Sequence, residues 1–137
     1  SDVDICNEKY IKPYYKKQIL SEAIMFSLSK KDEANLLSIL EAFLKIEKYT
    51  QDISNEDELF NDSETFDAVL MNFIVIGEMV VRLSDECTTQ YTSVNWFKIK
   101  GFRNIVAHDY FGVDAKEVWN IIQLHLPQLK QDIQNII

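Results

Sequence analysis

The segment from Arg103 to Tyr110 carries the residue types best suited to chemistry on a phosphate. It contains Arg103, His108 and Tyr110, and His108 is one of only two histidines among 137 residues. An arginine can hold a phosphate, an imidazole can move a proton near neutral pH, and a phenol can accept a modification. We therefore predict that this segment is the functional site, with Arg103 and His108 as the candidate catalytic residues.

The spacing of these residues limits how they can meet. In a straight α-helix each residue turns by about 100°, so Arg103 and Tyr110 would lie within about 20° of each other. His108 would lie about 140° from Arg103 on the same helix. The three side chains can converge only if the helix ends or loosens near His108, or if a second copy of the chain supplies a partner.

Each of these residues also has a purely structural interpretation. Arg103 could form a surface ion pair, His108 could simply sit at the negative end of a helix dipole, and Tyr110 could be a rim aromatic. For His125 and Arg82 we favour the structural interpretation, because no neighbour in the sequence completes a site.

The overall charge excludes a protein that binds nucleic acid broadly and non-specifically. The net charge is −8 and the isoelectric point about 4.7, and such a surface repels a polyanion at long range. A small basic cleft is still compatible with this charge. The segment that carries Lys98, Lys100 and Arg103 is such a locally basic part of this acidic chain.

The composition predicts one helical, cytoplasmic domain. The chain has only three glycines and two prolines, too few for many tight turns. No apolar run is long enough for a membrane helix, and no signal peptide opens the sequence. Cys6 and Cys87 form no CxxC pair, so we expect inert thiols in a reducing compartment, no metal and no cofactor.

Four helices with apolar residues at helical spacing are expected to position the segment. They run from about Lys31 to Tyr49, from an Asp62 or Ser63 cap to about Leu83, from Trp96 onward, and from Asp114 onward. The acidic stretch from Gln51 to Glu64 predicts a loop with one helical turn around Leu59 and Phe60. The stretch from Ser84 to Ser93 predicts a polar connection. The fold class is therefore all-α, an antiparallel four-helix-type bundle.

Two positions predict how these helices pack. The second helix is apolar nearly all round, which indicates burial on a second side, plausible for an oligomer interface. Gly77 within it suggests the close approach of another helix. Pro127 in the fourth helix removes one internal hydrogen bond and should kink the helix near Gln123.

Residues 1–29 differ from the helical part, residues 30–137. Val3–Cys6 predicts a short strand, and Lys16–Leu28 a helix. A single strand has no partner here, so this extension either hangs from the bundle or belonged to something upstream.

The sequence Arg103-(four residues)-His108-Asp109-Tyr110 resembles the R-x-x-x-x-H-x-Y signature of the HEPN superfamily, specifically its HepT-like toxins. The likeness extends from about Asp32 to the C-terminus and includes Ile76-Gly77-Glu78, Trp96 and Val118-Trp119. It implies a dimerising helical bundle with two copies of the motif at a shared cleft.

The resemblance also implies an activity, which is that of a metal-independent ribonuclease. Arg103 would hold the scissile phosphate, and His108 would act as general acid or base while the neighbouring ribose hydroxyl attacks. Lys100 and Asn104 are expected to contact RNA beside the motif, and no DNA target is expected. The implied partner is a minimal nucleotidyltransferase antitoxin that transfers AMP to Tyr110.

Residues 1–29 resemble the last strand and helix of such minimal nucleotidyltransferases. Asp4 would match their third metal-binding carboxylate, but the other two carboxylates and the glycine-serine loop are absent, so we assign Asp4 no activity. Two interpretations stay open: an antitoxin module fused upstream, or an unrelated extension. The alternative function is a non-catalytic dimeric binding module, or a substrate of the nucleotidyltransferase.

Overall fold

The fold of the described residues is helical, as the sequence predicts. The computed structural model describes residues 27–108 and 112–137, apart from the side chains of Ile105, Ala107 and His108. Within these ranges the regular elements are all helices, without a strand. The predicted strand of residues 3–6 and nearly all of the predicted N-terminal helix lie outside the described residues, as does Tyr110.

The helices occur in the predicted order, with two short additions. We label them α1 (Lys30–Thr50), α2 (Glu56–Asn61), α3 (Ser63–Arg82), α4 (Asp85–Gln90), α5 (Trp96–His108), α6 (Ala115–Asn120) and α7 (Leu126–Ile136), with a π-helical segment (Ile121–His125) between α6 and α7. The four predicted helices correspond to α1, α3, α5 and the α6–α7 pair.

Polar caps explain where the first helices begin. Ser29 accepts a hydrogen bond from the Asp32 amide at the start of α1, Asn55 caps α2, and Asp62 caps α3 through the Thr65 amide. Each cap satisfies an amide that would otherwise lack a partner. The cap predicted for the second long helix is confirmed.

The predicted polar connection from Ser84 to Ser93 is wrong in part, because residues 85–90 form α4. The Ser84 hydroxyl accepts a hydrogen bond from the Cys87 amide at 3.1 Å. It also donates to Asp32 of α1 at 2.5 Å, and the Ser84 amide donates to the other oxygen of Asp32 at 2.9 Å. This junction fixes α4 against the beginning of α1.

The junction changes the acidity of two buried groups. Burial by itself would raise the pKa of Asp32, but the hydrogen bonds from Ser84 and Ser29 outweigh it and hold the pKa below its ordinary value of 3.8. Burial, assisted by the negative charge of Asp32, raises the pKa of the Cys87 thiol to about 11. Cys87 is a fully buried free thiol, so it behaves as a core residue.

The core lies between α1, α3 and α5, with α7 closing one side against α1 and α2 packing against α6. Side chains from all the long helices are fully buried in it, among them Leu36, Ile39, Phe43, Phe73, Ile76, Ile99 and Ile133. The rings of Phe73 on α3 and Phe102 on α5 stack with centroids 5.3 Å apart. α3 is therefore the central helix, with α1 and α5 packed against it.

The fourth predicted helix is interrupted near the predicted position. Asp114 caps the N-terminus of α6, and its carboxylate accepts a hydrogen bond from the Lys116 amide at 2.9 Å. The chain then widens into the π-helical segment, in which the Leu126 amide donates to the Ile121 carbonyl. Pro127 lacks the amide that would bond to Gln123 in a regular α-helix. A local widening of the helix thus accompanies the missing hydrogen bond.

The second face of α3 is only partly covered. Ile74, Val75 and Met79 are partly buried, whereas Met71 is 58% and Val81 47% exposed. A homodimer interface on this face therefore remains a prediction. None of the helices in the described part of the chain combines the length and apolarity that crossing a membrane requires.

Candidate functional site

Helix α5 carries the candidate catalytic residues, and its start is firmly held. The Asn95 side chain accepts a hydrogen bond from the Lys98 amide at 3.0 Å, and the Trp96 indole donates to the Tyr91 carbonyl at 3.0 Å. Ile99, Phe102 and Val106 form its buried face. Because these three residues lie against the core, they fix the rotation of α5 about its axis.

Gly77 of α3 allows α5 to approach unusually closely at Arg103. A Cβ atom added to Gly77 would lie 2.3 Å from the Arg103 Cβ and 3.2 Å from both its Cα and its amide nitrogen. No side chain fits in that space without moving the backbone of α5. The predicted close approach at Gly77 is confirmed, and its neighbour is the candidate phosphate-binding residue.

The next residue of α3 orients the Arg103 guanidinium. One Arg103 nitrogen, Nη1, donates to the Glu78 carboxylate at 3.0 Å. The side chains are 31% and 42% exposed respectively, so the ion pair contributes at most about 1 kcal/mol to stability. Its main consequence is geometric: it leaves a half-exposed guanidinium with further N–H groups and a restricted range of directions.

His108 is the last residue of α5. The three residues that follow, 109–111, lie outside the described residues, so the expectation that the helix ends or loosens near Ala107 and His108 stays a prediction. Within the regular helix, the backbone positions 103 and 108 lie about 140° apart around one axis.

Lys100 and Asn104 lie on the exposed side of α5, opposite its buried face. They are in register with His108 at helical spacing, because residues four and eight positions apart fall on one side of a helix. The structure thus places Arg103 on one flank of α5, and Lys100, Asn104 and the His108 backbone along its outer side.

Comparisons with known proteins assign the family. A family model described as "Ribonuclease HepT-like" matches residues 39–136. The chain belongs to the HepT-like ribonuclease family. The match spans the second half of α1 and all of α2 to α7, so it includes both the Arg103–Glu78 pair and the candidate motif.

Individual HepT-like relatives agree with this assignment. A protein of Methanocaldococcus jannaschii named "Putative RNase" is 31% identical over 78% of this chain and 98% of its own length. "Probable ribonuclease HepT" of Thermococcus cleftensis is 30% identical over 74% of this chain and 91% of its own. No solved structure matches the chain significantly.

One relative is a longer protein. The M. jannaschii protein named "Gamma-glutamylcyclotransferase and putative RNase" is 34% identical over 72% of this chain, which covers only 44% of that protein. A HepT-like region can thus be part of a larger chain.

The second histidine of this HepT-like chain has a partner that the sequence did not indicate. The Lys98 ammonium lies 2.9 Å from Nδ1 and 3.4 Å from Nε2 of His125. This contact joins the first turn of α5 to the π-helical segment. The two residues are 27 positions apart, so only the tertiary fold could reveal the contact.

Among the described side chains, no group of three or more His, Cys, Asp or Glu residues is arranged to hold a metal ion. The sequence placed Glu78 within the family likeness but did not predict its contact with Arg103. Its neighbour Gly77 was the available signal, since a glycine inside a helix marks a close approach that must also constrain the side chains beside it.

Proposed function

We propose that this chain is a metal-independent endoribonuclease acting as the toxin of a toxin–antitoxin pair. The observation that carries the proposal is the half-exposed guanidinium of Arg103, held by Glu78 over Gly77 on the helix that ends at His108. Membership of a ribonuclease family supports the same activity. We further propose a cytoplasmic location.

The proposed reaction uses only groups of the chain and the RNA. The ribose 2′-hydroxyl attacks the adjacent phosphorus, so that a 2′-O–P bond forms and the bond from phosphorus to the 5′-oxygen breaks. The proton of the 2′-hydroxyl passes to a base, and the leaving oxygen receives a proton from an acid. His108 takes one of these two roles, and Arg103 stabilises the charge that grows on the phosphoryl oxygens.

We propose that a homodimer assembles this site. Because positions 103 and 108 lie about 140° apart around one continuous helix, an Arg103 and a His108 from two copies can face one phosphate more readily than two from the same copy. The partly exposed apolar face of α3 is a candidate surface for the contact. The acidic remainder of the protein then matters little, because only the shared cleft needs to be positive.

The proposed regulation involves Tyr110 and a second protein. A minimal nucleotidyltransferase, either separate or fused upstream of residues 1–29, would transfer AMP to the phenol of Tyr110, two residues beyond His108. An added phosphate there would carry negative charge next to the cleft and repel the RNA backbone. The motif resemblance supports this step.

A cleavage assay in the presence of a chelator tests the ribonuclease proposal. Wild-type protein should cut single-stranded RNA without added metal and leave 5′-hydroxyl ends. His108→Ala and Arg103→Ala should each lower the rate by at least about a hundredfold. His125→Asn is the matched control, since it alters the other histidine and should keep the activity.

Two results would contradict the proposal: cleavage that survives both motif substitutions, or wild-type protein that cuts nothing. In the second case, a mass gain on Tyr110 with a nucleotidyltransferase and ATP would favour the alternative function, a non-catalytic substrate of that enzyme. Tyr110→Phe must abolish the gain for that conclusion to hold.

A further inference from the structure

One side of α5 presents an apolar ring, a cation and an amide in a single row. The row follows the helical spacing of three and four residues, so its members share one side of the helix. We call it the outer stripe, and its positions are Phe97, Lys100, Gly101, Asn104 and His108. It lies opposite the buried face of Ile99, Phe102 and Val106. Position 108, the last of α5, continues this row at helical spacing.

Phe97 is the most exposed large apolar residue of the described chain, at 88%. Its ring borders a surface groove of about 520 Å³, whose other lining residues include Thr88, Thr92, Ser93 and Asn95. The groove lies within the usual size range of ligand sites. An aromatic wall beside hydroxyl and amide groups suits a nucleobase, which offers a flat π-face and hydrogen-bonding edges.

The positive charge of α5 favours a negatively charged ligand on the outer stripe. The helix carries Lys98, Lys100 and Arg103 and no acidic residue, in a chain with 22 acidic side chains. Lys98 contacts His125 and Arg103 contacts Glu78. Lys100, on the outer stripe, is exposed and has no ion pair among the described residues.

Gly101 leaves the middle of the outer stripe open. An added Cβ atom there would meet no other atom within 4 Å, so a strand could lie against the helix backbone between Phe97 and Asn104. Along the axis, Phe97 and His108 are about 16 Å apart, at a rise of about 1.5 Å per residue. That length corresponds to a few nucleotides of single-stranded RNA.

We propose that the outer stripe binds single-stranded RNA, with one base stacked on Phe97 a few nucleotides from the phosphate that is cut. Lys100 neutralises a phosphate between them. This proposal rests on the ribonuclease function proposed above and gives it a substrate class. Unpaired bases are required, because a base inside a duplex has no free face for the ring.

The test measures binding of a short fluorescein-labelled RNA whose 2′-hydroxyls are methylated, so that it cannot be cut. Phe97→Ala should weaken binding about tenfold or more, and Phe97→Trp should restore it. Phe60→Ala is the matched control, because Phe60 is 61% exposed but stands beside Asp57, Glu58 and Asp62. It should bind like the wild type.

Replacing single bases of the RNA by abasic residues then locates the contact. At the position whose base stacks on Phe97, combining the abasic residue with Phe97→Ala should weaken binding no more than either change does alone. The proposal is overturned if Phe97→Ala binds normally, if a duplex of the same sequence binds equally well, or if Phe97→Ala mainly changes the oligomeric state in sedimentation. The last result would make Phe97 a contact between copies.

The two proposals can fail separately. Cleavage by the wild type with an unchanged KM in Phe97→Ala would leave the ribonuclease standing and remove the stacking site. Binding that depends on Phe97, together with no cleavage of unmodified RNA, would support the stacking site and contradict the ribonuclease function.

Discussion

Arg103 illustrates how a glycine and a carboxylate on another helix can position a functional side chain. Gly77 fixes where the Arg103 Cβ lies, and Glu78 fixes where its guanidinium points. The ion pair is weak in free energy, because its two side chains are 31% and 42% exposed and are screened by water. Its contribution is positional, so substitutions at Arg103 and Glu78 should affect rate more than stability.

We predict that Glu78→Gln and Arg103→Lys both separate activity from stability. Each should change the free energy of unfolding by less than about 1 kcal/mol. Arg103→Lys should lower kcat by at least about tenfold, because an ammonium cannot form the bidentate hydrogen bonds that a guanidinium forms with phosphate. Glu78→Gln should cause a smaller decrease. Metal-free cleavage and urea unfolding measure the two quantities.

The outcome that would contradict this view is a large loss of stability with normal kcat. Glu41→Gln is a suitable control, because Glu41 forms only an exposed ion pair with Lys45 on α1. It should change neither quantity appreciably.

Asp32 gives a pH-dependent prediction, since hydrogen bonds hold its pKa below 3.8 in the folded protein. Its contribution to stability is complete above the unfolded pKa and is lost as the pH falls through the lower folded pKa. Asp32→Asn should therefore cost about 1–3 kcal/mol near pH 7. The difference from wild type should shrink below about pH 4.

Urea unfolding at neutral and acidic pH measures this difference. Glu33→Gln, in the same turn of α1 but exposed, should cost little at either pH. A cost of Asp32→Asn that is equal at both pH values would show that the Ser84 hydrogen bonds do not depend on the charge of Asp32.

At the level of elements, the two helical glycines of the described chain have opposite roles. Gly77 lies against the backbone of α5, whereas Gly101 faces open space. We predict that Gly77→Ala lowers the free energy of unfolding by about 1–3 kcal/mol, since overpacking at a backbone contact cannot relax cheaply. Gly101→Ala should be neutral or stabilising by up to about 1 kcal/mol.

Thermal and urea unfolding of the two variants provide the comparison, and each variant is the other's control. Gly77→Ala should also lower the cleavage rate, because α5 and Arg103 must move outward. Equal stability of both variants would mean that α3 and α5 separate without cost.

The long helices could be predicted from sequence because their signals are local. Apolar spacing and an aspartate cap located α3, and Pro127 located the irregularity near Gln123. α4 was missed because six residues are too few to show a period, although Ser84 followed by two acidic residues is a capping signal. The Glu78–Arg103 and Lys98–His125 contacts join distant positions, so no local pattern could reveal them.

For the whole molecule, the decisive fact is that α5 continues without a break through His108. The candidate site then depends on how two copies meet, and this can be tested without a structure of the dimer. If each site combines Arg103 of one copy with His108 of the other, a heterodimer of Arg103→Ala and His108→Ala chains contains one intact site and one doubly defective site.

We predict that co-refolding these two inactive variants restores about a quarter of the wild-type rate per chain, since half of the random dimers are mixed and each has one intact site of two. The rate should rise with the mixing ratio to a maximum at equal amounts. Arg103→Ala refolded with a chain carrying both substitutions is the control and should stay inactive, because no Arg103 is present. No recovery in a mixture shown by mass spectrometry to contain heterodimers would place Arg103 and His108 of one chain in the same site. α5 would then have to unwind at its end to bring His108 round to Arg103 when RNA binds.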